Sequence, residues 1–434
     1  PEPEPEPEPS LLKAGDWIQI GDDISGEATD DSSGYSVSLS SDGNTVAIGA
    51  PYNDDNGSNS GHVRVYHWDG SVWTQMGGDI NGKAADDYSG WSVSLSRNGN
   101  RVAIGAPYND DNGSYSGHVR VYNWDDSSWN QLGNDISGEA TKDYSGYSVS
   151  LSSDGDIVAI GAPYNKDAGN YSGHVRVYYL DGSVWTQMGG DIVGEAASDY
   201  SGWSVSLSND GKTVAVGAYF NDGASNNSGH VCVYNWDDSS WNQVGHDIDG
   251  EANDYSGYSV SLSSDGKIVA IGAPLSDVAG TGTDAGHVRV FQYIDDSWNQ
   301  IGGDISGEDA SDWSGRSVSL SSDGKTVAIG APYNNGAGGD SGHVRVYHWD
   351  GSVWYRVGDD IDEAASDQSG FSVSLSSNGT IVAIGAPNNG CVRVYKLGYL
   401  SKELQQKISL NVQHNKLIND TNFDLDLHET AHYN

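Results

Sequence analysis

Short runs of alternating apolar and polar residues recur along the chain and predict β-strands. In one copy the run "WSVSLS" starts at Trp91, followed by "RVAIGA" from Arg101, "HVRVYNW" from His118 and "WNQLGNDI" from Trp129. Alternation over about four to eight residues is typical of a half-buried strand. No stretch of the copies has the period of a helix, so the pattern predicts an all-β chain with four strands in each copy.

Turn signals separate these strands and differ in length. Asn98-Gly99 stands between the first two strands, a long Gly/Asn/Asp/Ser loop follows Pro107, and Asp125-Asp126 precedes the fourth strand. Most other copies have Asp-Gly at the first turn, as at Asp42-Gly43. Because Asp-Gly suits positive φ angles, this turn is predicted to be a two-residue type I′ hairpin.

The four-strand unit repeats at a fixed period. One tryptophan opens the fourth strand of each copy, and successive ones lie 56 or 57 residues apart: Trp17, Trp73, Trp129, Trp185, Trp241, Trp298 and Trp354. A period near 50 residues indicates a repeat architecture. Seven units of four antiparallel strands predict a seven-bladed β-propeller, which closes such sheets radially and leaves only short edges.

The two ends of the repeats predict how the ring closes. The fourth-strand text "WIQIGDDI" occurs at Trp17, before any complete copy, whereas the last copy, from Gly370, lacks it. The N-terminal strand is therefore expected to complete the last blade, which removes the remaining open edges. We expect a Pro-Glu spacer over 1–15, the propeller over 16–397, and a tail or a following segment over 398–434.

The repeated text resembles a known family. "SGYSVSLSSDGNTVAIGAP", followed by "SGHVRVY", is similar to the FG-GAP repeat of integrin α-chain propellers, and the resemblance covers about residues 16–397. It implies an extracellular interaction or adhesion module whose ligands bind one rim. The chain departs from the family pattern where serine replaces the phenylalanine of the name, as at Ser33, and where Gly217-Ala218-Tyr219 interrupts Gly-Ala-Pro.

The family's calcium loop is the largest departure. Anchored on Asp42-Gly43, three of its oxygen-ligand positions fall on Ser38, Ser40 and Val46. Calcium takes about six to eight oxygen ligands, so no calcium is expected at this hairpin. A calcium ion on the loop-rich face stays an alternative.

Net charge narrows the class of partner. The chain of 434 residues has 61 Asp+Glu against 21 Lys+Arg, a formal charge of -40. This field repels phosphate, which excludes nucleic acid as an expected partner. No run of 18 apolar residues exists, so no membrane insertion is expected.

The long loops predict the functional face. The connection between blades and the loop between the second and third strands should emerge together, opposite the short hairpins, and function concentrates on elaborate loops. The candidate binding acids in these loops are Asp54, Asp55, Asp110, Asp111, Asp167 and Asp222. A second set of aspartates recurs three residues before the glycine that precedes the first strand of each copy, such as Gly34. These aspartates are expected to cap turns: Asp31, Asp87, Asp143, Asp199, Asp254, Asp312 and Asp367.

Aromatic residues at the start of the innermost strands give a second interpretation. Candidate binding residues are Tyr88, Trp91, Tyr144 and Trp203, in a series where Arg316 is the exception. Aromatic faces beside acids can bind sugars, so a carbohydrate-binding lectin is an alternative to inter-blade packing.

The third strand carries one cation in six of the seven copies. These arginines are expected to pair with recurrent aspartates between blades: Arg64, Arg120, Arg176, Arg289, Arg345 and Arg393. Cys232 replaces the arginine in one copy and Cys391 replaces a histidine in another. Three copies apart in a ring, the two cysteines are expected not to form a disulfide.

Two further motifs concern modification and zinc. The glycosylation candidates of the type Asn-x-Ser/Thr are Asn56, Asn112, Asn170, Asn226, Asn378 and Asn419. In the tail, His428, Glu429 and His432 spell the zinc-peptidase signature HExxH, which needs a third ligand that the sequence does not supply. A propeller attached to a zinc metallopeptidase is therefore a second alternative.

The sequence thus predicts a non-catalytic, acidic propeller of a secreted or surface-exposed protein. We expect it to bind a protein partner, or neighbouring subunits of a larger extracellular assembly, through the loop-rich face. No cofactor is implied with certainty, and a glycan remains an alternative partner.

Overall fold

Seven β-sheets are arranged in a ring, as the periodicity predicts. The computed structural model describes residues 15–278, 281–362 and 364–398. Apart from one short 3₁₀ helix, Thr29–Asp31, the elements of this part of the chain are strands. The predicted Pro-Glu spacer, apart from Gly15, and nearly all of the tail lie outside the described residues, so those boundaries remain predictions.

The strands of each blade follow a common order from the channel outward. Blades are numbered from the first complete copy, and blade 7 is completed by the N-terminal strand.

The innermost strands are Ser36–Leu39, Ser92–Leu95, Ser148–Leu151, Ser204–Leu207, Ser259–Leu262, Ser317–Leu320 and Ser372–Leu375. The second strands are Thr45–Ala50, Arg101–Ala106, Ile157–Ala162, Thr213–Ala218, Ile268–Ala273, Thr326–Ala331 and Ile381–Ala386. The third strands are His62–Trp68, His118–Trp124, His174–Asp181, His230–Trp236, His287–Ile294, His343–Trp349 and Cys391–Leu397.

The outermost strand is broken into two segments that pair with the same third strand. The longer segments are Trp73–Gln75, Trp129–Gln131, Val184–Gln187, Trp241–Gln243, Ser297–Gln300, Trp354–Arg356 and Trp17–Gln19. The shorter ones are Ile80–Asn81, Ile136–Ser137, Ile192–Val193, Ile248–Asp249, Ile305–Ser306, Ile361–Asp362 and Ile24–Ser25. The continuous fourth strand expected from the sequence is thus interrupted, at a glycine with positive φ in each blade, such as Gly77 at 71°.

The N-terminal strand closes the ring, which confirms the prediction from the unequal ends. Trp17 pairs with Leu397 and Gln19 with Tyr395, antiparallel, as the outer strand of blade 7. Ile24 then pairs with Val392. The first and last parts of the propeller are therefore joined by the same ladder that holds every other blade together.

Rings of hydrogen bonds between neighbouring blades explain why the text "SVS" recurs. The first serine donates to a carbonyl of the next blade, as Ser36 Oγ does to Gly90 O at 2.8 Å. The second accepts from a backbone amide, as Ser38 Oγ does from Leu95 N at 2.9 Å. Outside, the Trp73 indole donates to Ile20 O at 2.9 Å. Since each bond recurs in all seven blades, these polar positions are interface positions.

The hydrophobic core lies between blades. One cluster joins Val37, Leu39 and Ile48 of blade 1 to Val392 and Val394 of blade 7, and six similar clusters fill the other interfaces. The second strands are almost wholly buried, which explains their unbroken apolar text. Each blade therefore depends on both neighbours for its core.

The hairpin between the first two strands differs from the predicted type I′ turn. Gly43 has a φ of 74°, but Asp42 does not have the positive φ that type I′ requires. The loop spans four residues and closes with Gly43 N donating to Ser40 O at 2.9 Å. Asp42 Oδ1 accepts from Ser40 Oγ at 2.6 Å and from Asn44 N at 3.0 Å. The Asp-Gly pair thus stabilises its own turn through side-chain hydrogen bonds.

Within the described residues, we find no helix with the length and hydrophobicity needed to cross a membrane.

Candidate functional site: the loop-rich face

Two kinds of long loop meet on one face of the ring. The loop between the second and third strands of blade 1 pairs in parallel with the connection to blade 2, at Gly61 and Ser89. Tyr88 N donates to Asn59 O at 3.0 Å in the same contact. Equivalent bridges follow in blades 2, 3, 4 and 6. These loops form the surface that we call the loop-rich face, opposite the short hairpins.

The buried aspartates of this face hold the connections between blades. Asp87 accepts from Ala84 N at 3.0 Å and from Asn109 Nδ2 at 3.0 Å, and Asp143 accepts from Ala140 N at 2.9 Å. Burial raises the pKa of Asp87 despite these hydrogen bonds. The side chains cap turns, as expected from their recurrence, and are not open to a ligand.

The predicted binding acids divide into two groups. Asp54, Asp110 and Asp222 accept from a backbone amide five residues later, for example Tyr115 N to Asp110 Oδ1 at 2.7 Å. Each therefore stabilises its own loop. Asp55, Asp111 and Asp167 instead face a buried histidine of the same blade.

Those histidines lie at the start of the third strand, beneath the loops. Nδ1 of His174 is 3.7 Å from Asp167 Oδ2 and 3.9 Å from Asp191 Oδ2, too far for a strong hydrogen bond. His174 is fully buried and its two ring nitrogens have no hydrogen-bond partner. Glu139 completes a group whose ligand atoms all lie within 4.8 Å of one another. These clusters are not apparent in the sequence, because the histidine and its acids come from a strand, a loop and the outer strand that are distant in the chain.

The arginines of the third strands neutralise part of this acid. Arg345 binds Asp360 in two hydrogen bonds of 2.8 Å, and it also pairs with Glu308. Arg64 makes the same pair of contacts, to Asp79 and Glu27. The predicted Arg–Asp pairing between blades is confirmed only in part. Arg289 and Arg393 contact aspartates of the connection that precedes their blade, Asp254 and Asp367. For Arg64 and Arg345 the prediction is wrong, because the aspartate lies on the adjoining outer strand of the same blade. The glutamate comes from the connection that precedes the blade.

Blade 2 places a lysine where other blades have glutamate. Lys83 Nζ lies 2.6 Å from Asp111 Oδ2 and 2.9 Å from Asp135 Oδ2. The substitution puts an ammonium between the carboxylates beside His118. This position in the blade therefore attracts a cation.

A closed belt of side chains surrounds the channel mouth on this face. Its rings are in contact from blade to blade, for example Tyr147 with Trp203 at a centroid distance of 4.5 Å. Arg316 completes the belt, 4.2 Å above the Phe371 ring and 5.0 Å above that of Tyr258. The belt and the Ser-Val residues that follow it line a channel with a volume of about 280 Å³. Trp91 and Trp203, predicted for binding, are members of this packed belt.

A second aromatic group, which we call the tyrosine arc, crosses blades 1–4 outside the belt. It forms an unbroken chain of ring contacts with centroid distances of 4.6–5.4 Å: Tyr52, Tyr88, Tyr108, Tyr144, Tyr164, Tyr200, Phe220 and Tyr255. Tyr115 stacks on Tyr144 and Tyr171 stacks on Tyr200, both with centroids 5.7 Å apart. Tyr115 and Tyr171 are the exposed members, at 37% and 39%.

The arc breaks the seven-fold symmetry. The position of Tyr52 and Tyr108 is Leu275 in blade 5, and the position of Tyr88 is Gln368 before blade 7. Of these residues, Tyr88 and Tyr144 were predicted from the sequence, whereas four others were not: Tyr108, Tyr164, Tyr115 and Tyr171. The repeated "PYN" after Gly-Ala was the available signal for the first two.

Backbone conformation at the arc is unusual for such bulky residues. Tyr88, Tyr115, Tyr144, Tyr171 and Tyr200 all have φ between 55° and 59°. The equivalent residues outside the arc have the same conformation, with φ of 56° at Trp313 and 54° at Gln368, so it belongs to the repeat. The parallel bridges between the loops hold them there.

The glycosylation candidates are exposed where the structure describes them, but two have their amides engaged. Asn56 Nδ2 donates to Gly82 O at 2.8 Å and Asn112 Nδ2 to Gly138 O at 2.7 Å. Asn378 lies on the short-hairpin side, in the turn before Ile381. Asn419 lies outside the described residues, as do His428, Glu429 and His432 of the HExxH motif. The glycosylation sites and the zinc motif remain predictions.

Comparisons with known proteins support the architecture. The family model described as the FG-GAP repeat matches residues 25–66, 81–122, 137–178, 194–234 and 245–291. A search of curated proteins returns no significant match.

Among solved structures, hydrazine synthase of Kuenenia stuttgartiensis is similar with a TM-score of 0.57 at 12% identity, covering 87% of this chain and 97% of that one. The Cps50 (Swd1) β-propeller domain of Myceliophteria thermophila has a TM-score of 0.52 at 10% identity, covering 89% and 99%. At such identities the likeness concerns the fold alone. The sequence, the ring of seven sheets and the matched repeats together show that the chain is a β-propeller of the FG-GAP repeat family.

Proposed function

We propose that the chain is a non-catalytic interaction module that binds a basic protein segment on the tyrosine arc. The observation that carries this proposal is the asymmetry of the loop-rich face. Six of the seven blades carry an arginine at the same place on the third strand, whereas the unbroken arc of rings runs over blades 1–4 and a separate Trp313–Tyr333 pair lies at blade 6. A one-sided aromatic surface on a symmetric frame is suited to one extended partner segment.

The exposed rings support a cationic partner. Tyr115 and Tyr171 are 37% and 39% exposed, and each stacks on a neighbouring tyrosine. Lys166 Nζ already lies 5.4 Å from the Tyr171 centroid, an intramolecular example of the contact. Cation–π contacts of this kind contribute about 0.5–2 kcal/mol, most with arginine and when water is excluded.

The charge beside the arc supports the same conclusion. Asp55, Asp111 and Asp167, with side chains 42–53% exposed, stand along the arc. The formal charge of -40 attracts basic segments over a distance and repels acidic ones.

The test uses defined peptides and two tyrosine variants. Binding of an arginine-rich peptide, a lysine-rich peptide and an acidic peptide would be measured by calorimetry at low and physiological salt. We expect arginine-rich peptide to bind best. The double variant Tyr115→Ala/Tyr171→Ala should bind it about tenfold or more weakly, because exposed aromatic anchors dominate interface energies.

The matched control is Tyr179→Ala/Tyr355→Ala, which removes two tyrosines that are 39% and 48% exposed away from the arc. It should bind as the wild type does. Equal weakening in both double variants, or binding that depends on charge alone, would contradict the role of the arc.

A carbohydrate-binding lectin is the second candidate, favoured by the same exposed rings beside carboxylates. A glycan array at millimolar ligand tests it. Glycan binding by the wild type that is lost in the Tyr115→Ala/Tyr171→Ala variant would support a lectin. Absence of glycan binding by the wild type would exclude the lectin.

We further propose that the protein acts outside the cell or at a cell surface, where it has a role in adhesion or assembly. The acidic surface and the exposed Asn-x-Ser sequons support this placement. Surface labelling of intact cells that express the natural protein would test it, and labelling only after lysis would contradict it.

A further inference from the structure

Blade 4 departs from the others at the place where acid and histidine meet. The third strand has an arginine in blades 1–3 and 5–7, and Cys232 in blade 4. Cys232 is buried at 4% exposure, as is His230 two residues before it on the same side of the strand. The substitution removes a cation and adds a thiol.

The neighbours of Cys232 are those that the arginine pairs with elsewhere. Asp247 is equivalent to Asp79 and Asp360, and Glu195 is equivalent to Glu27. In blade 4 no arginine from the third strand offsets these two carboxylates. Gln243 Nε2 donates to Asp247 Oδ1 at 2.5 Å, but the equivalent glutamine does the same in blades that have the arginine, as Gln75 does to Asp79 at 2.6 Å.

Distances in this cluster suit a tetrahedral ion. Cys232 Sγ lies 3.6 Å from His230 Nε2 and 3.3 Å from Asp247 Oδ1. For zinc with bonds of about 2.3 Å to sulfur and about 2.0–2.1 Å to nitrogen or oxygen, tetrahedral angles put the ligand atoms about 3.5 Å apart. The ligand atoms of the three residues all lie within 4.8 Å of one another.

We infer that blade 4 contains a site for a thiophilic divalent metal ion, zinc by preference, bound by His230, Cys232 and Asp247. A thiol with an imidazole selects zinc over calcium and magnesium, which take oxygen ligands. Glu195 or water supplies the fourth ligand. The site lies under the loop-rich face, where blade 2 places the ammonium of Lys83 and six blades place a guanidinium.

Binding exchanges a proton for the ion. Cys232 Sγ donates to Asp247 Oδ1 at 3.3 Å, so Cys232 is a thiol without metal, and formation of the Zn–S bond releases one proton to solvent. The affinity is expected to fall as the pH falls.

The experiment titrates the full chain with Zn²⁺ by calorimetry and with Co²⁺ by absorption. We expect one ion per chain and a thiolate-to-cobalt charge-transfer band in the near ultraviolet. Absence of this band would overturn the proposal, because no other described cluster of this kind contains a cysteine.

The variant Cys232→Arg restores the residue of the other blades and is expected to fold. It should lose the band and bind zinc at this site about 100-fold or more weakly, since loss of even outer-shell partners costs about 10–100-fold. The control Cys391→Ser removes the other cysteine and should change neither. Cys232→Ser provides a second test without added charge, and near-ultraviolet circular dichroism checks the folding of each variant.

A separate variant distinguishes zinc binding by the HExxH motif of the tail from zinc binding in blade 4. The double variant His428→Ala/His432→Ala should keep the charge-transfer band and the zinc affinity that depends on Cys232. If it abolishes zinc binding while Cys232→Arg leaves it unchanged, the ion belongs to the tail and the blade 4 site is rejected.

Discussion

At the scale of single residues, buried histidines are the groups most sensitive to pH. Burial, together with the charge of Arg120, lowers the pKa of His118 to about 4. His343 is similar, with its pKa lowered to about 4, and the pKa values of His62 and His174 are also lowered by burial. Below the ordinary pKa of about 6.5 the unfolded chain binds protons that the folded chain does not.

The first prediction follows from the direction of these pKa shifts. Stability should be full above pH 6.5 and should fall between pH 6.5 and about 4, where His118 and His343 each account for about 3 kcal/mol. His118→Cys copies the residue that blade 7 has at this position, Cys391. Its unfolding free energy in urea, with chelator present, should therefore fall less steeply over this pH range than that of the wild type.

The control is His67→Gln, since His67 is exposed on the outer part of blade 1. Its curve should run parallel to that of the wild type. Parallel curves for His118→Cys would show that the buried imidazole does not set the acid limit.

At the scale of the elements, close approach of neighbouring second and first strands decides which residues fit. A Cβ on Gly49 would lie 2.1 Å from the Gly90 carbonyl oxygen of the next blade. That oxygen accepts the hydrogen bond from Ser36 Oγ. The glycine of each "IGA" or "VGA" is thus required by the contact between blades.

The second prediction compares two glycines of blade 1. Gly49→Ala should lower the unfolding free energy by about 3 kcal/mol, because the neighbouring backbone must move to admit the methyl group. Gly78→Ala is the control, since a Cβ there meets nothing within 4 Å. Its effect should stay within about 1 kcal/mol. Urea unfolding measures both, and equal effects would contradict the packing argument.

At the scale of the whole molecule, the ring depends on one seam that the chain does not join covalently. Trp17–Gln19 is held to blade 7 by its ladder, by packing, and by Trp17 Nε1 donating to Val357 O at 2.9 Å. In blade 1, Trp73 makes the equivalent hydrogen bond to Ile20 O, but its strand continues from the third strand through a short turn.

The third prediction concerns this seam. Trp17→Ala and Trp73→Ala should each cost about 3–5 kcal/mol. Only Trp17→Ala should allow local opening, because its strand is free to leave the sheet. In Trp17→Ala, the amides of Cys391–Leu397 should exchange hydrogen faster than global unfolding allows. In Trp73→Ala, the amides of His62–Trp68 should exchange at the rate set by global unfolding. Equal protection would show that the seam has no separate opening.

Much of the fold could be predicted because each copy carries the whole pattern of a blade. The period of the tryptophans gave the number of blades, and the unequal ends gave the closing strand. The type I′ turn was wrong because Asp42 binds Ser40 and Asn44 rather than adopting a positive φ. The break in the outer strand was not predicted, because the text "WNQLGNDI" from Trp129 has apolar residues near both ends and was interpreted as one continuous strand.

The site was less predictable than the fold. Recurrence identified the capping role of Asp87 and Asp143, and the loop-rich face was located by the length of its loops. Asp54 and Asp55 are neighbours in the sequence but have different roles. The Asp54 carboxylate accepts a hydrogen bond from its own loop, whereas that of Asp55 faces His62. Adjacent letters of the sequence do not carry that information.

The sequence by itself determined the local periodicity, the number of units and the excess of acid, because these depend on neighbouring residues and on composition. Only the tertiary structure decided which side chains meet. Tyr108 meets Tyr144 from the next connection, and Cys232 meets Asp247 from the adjoining outer strand. The physical reason is that such contacts are fixed by blade packing and strand register, which bring together residues distant in the chain.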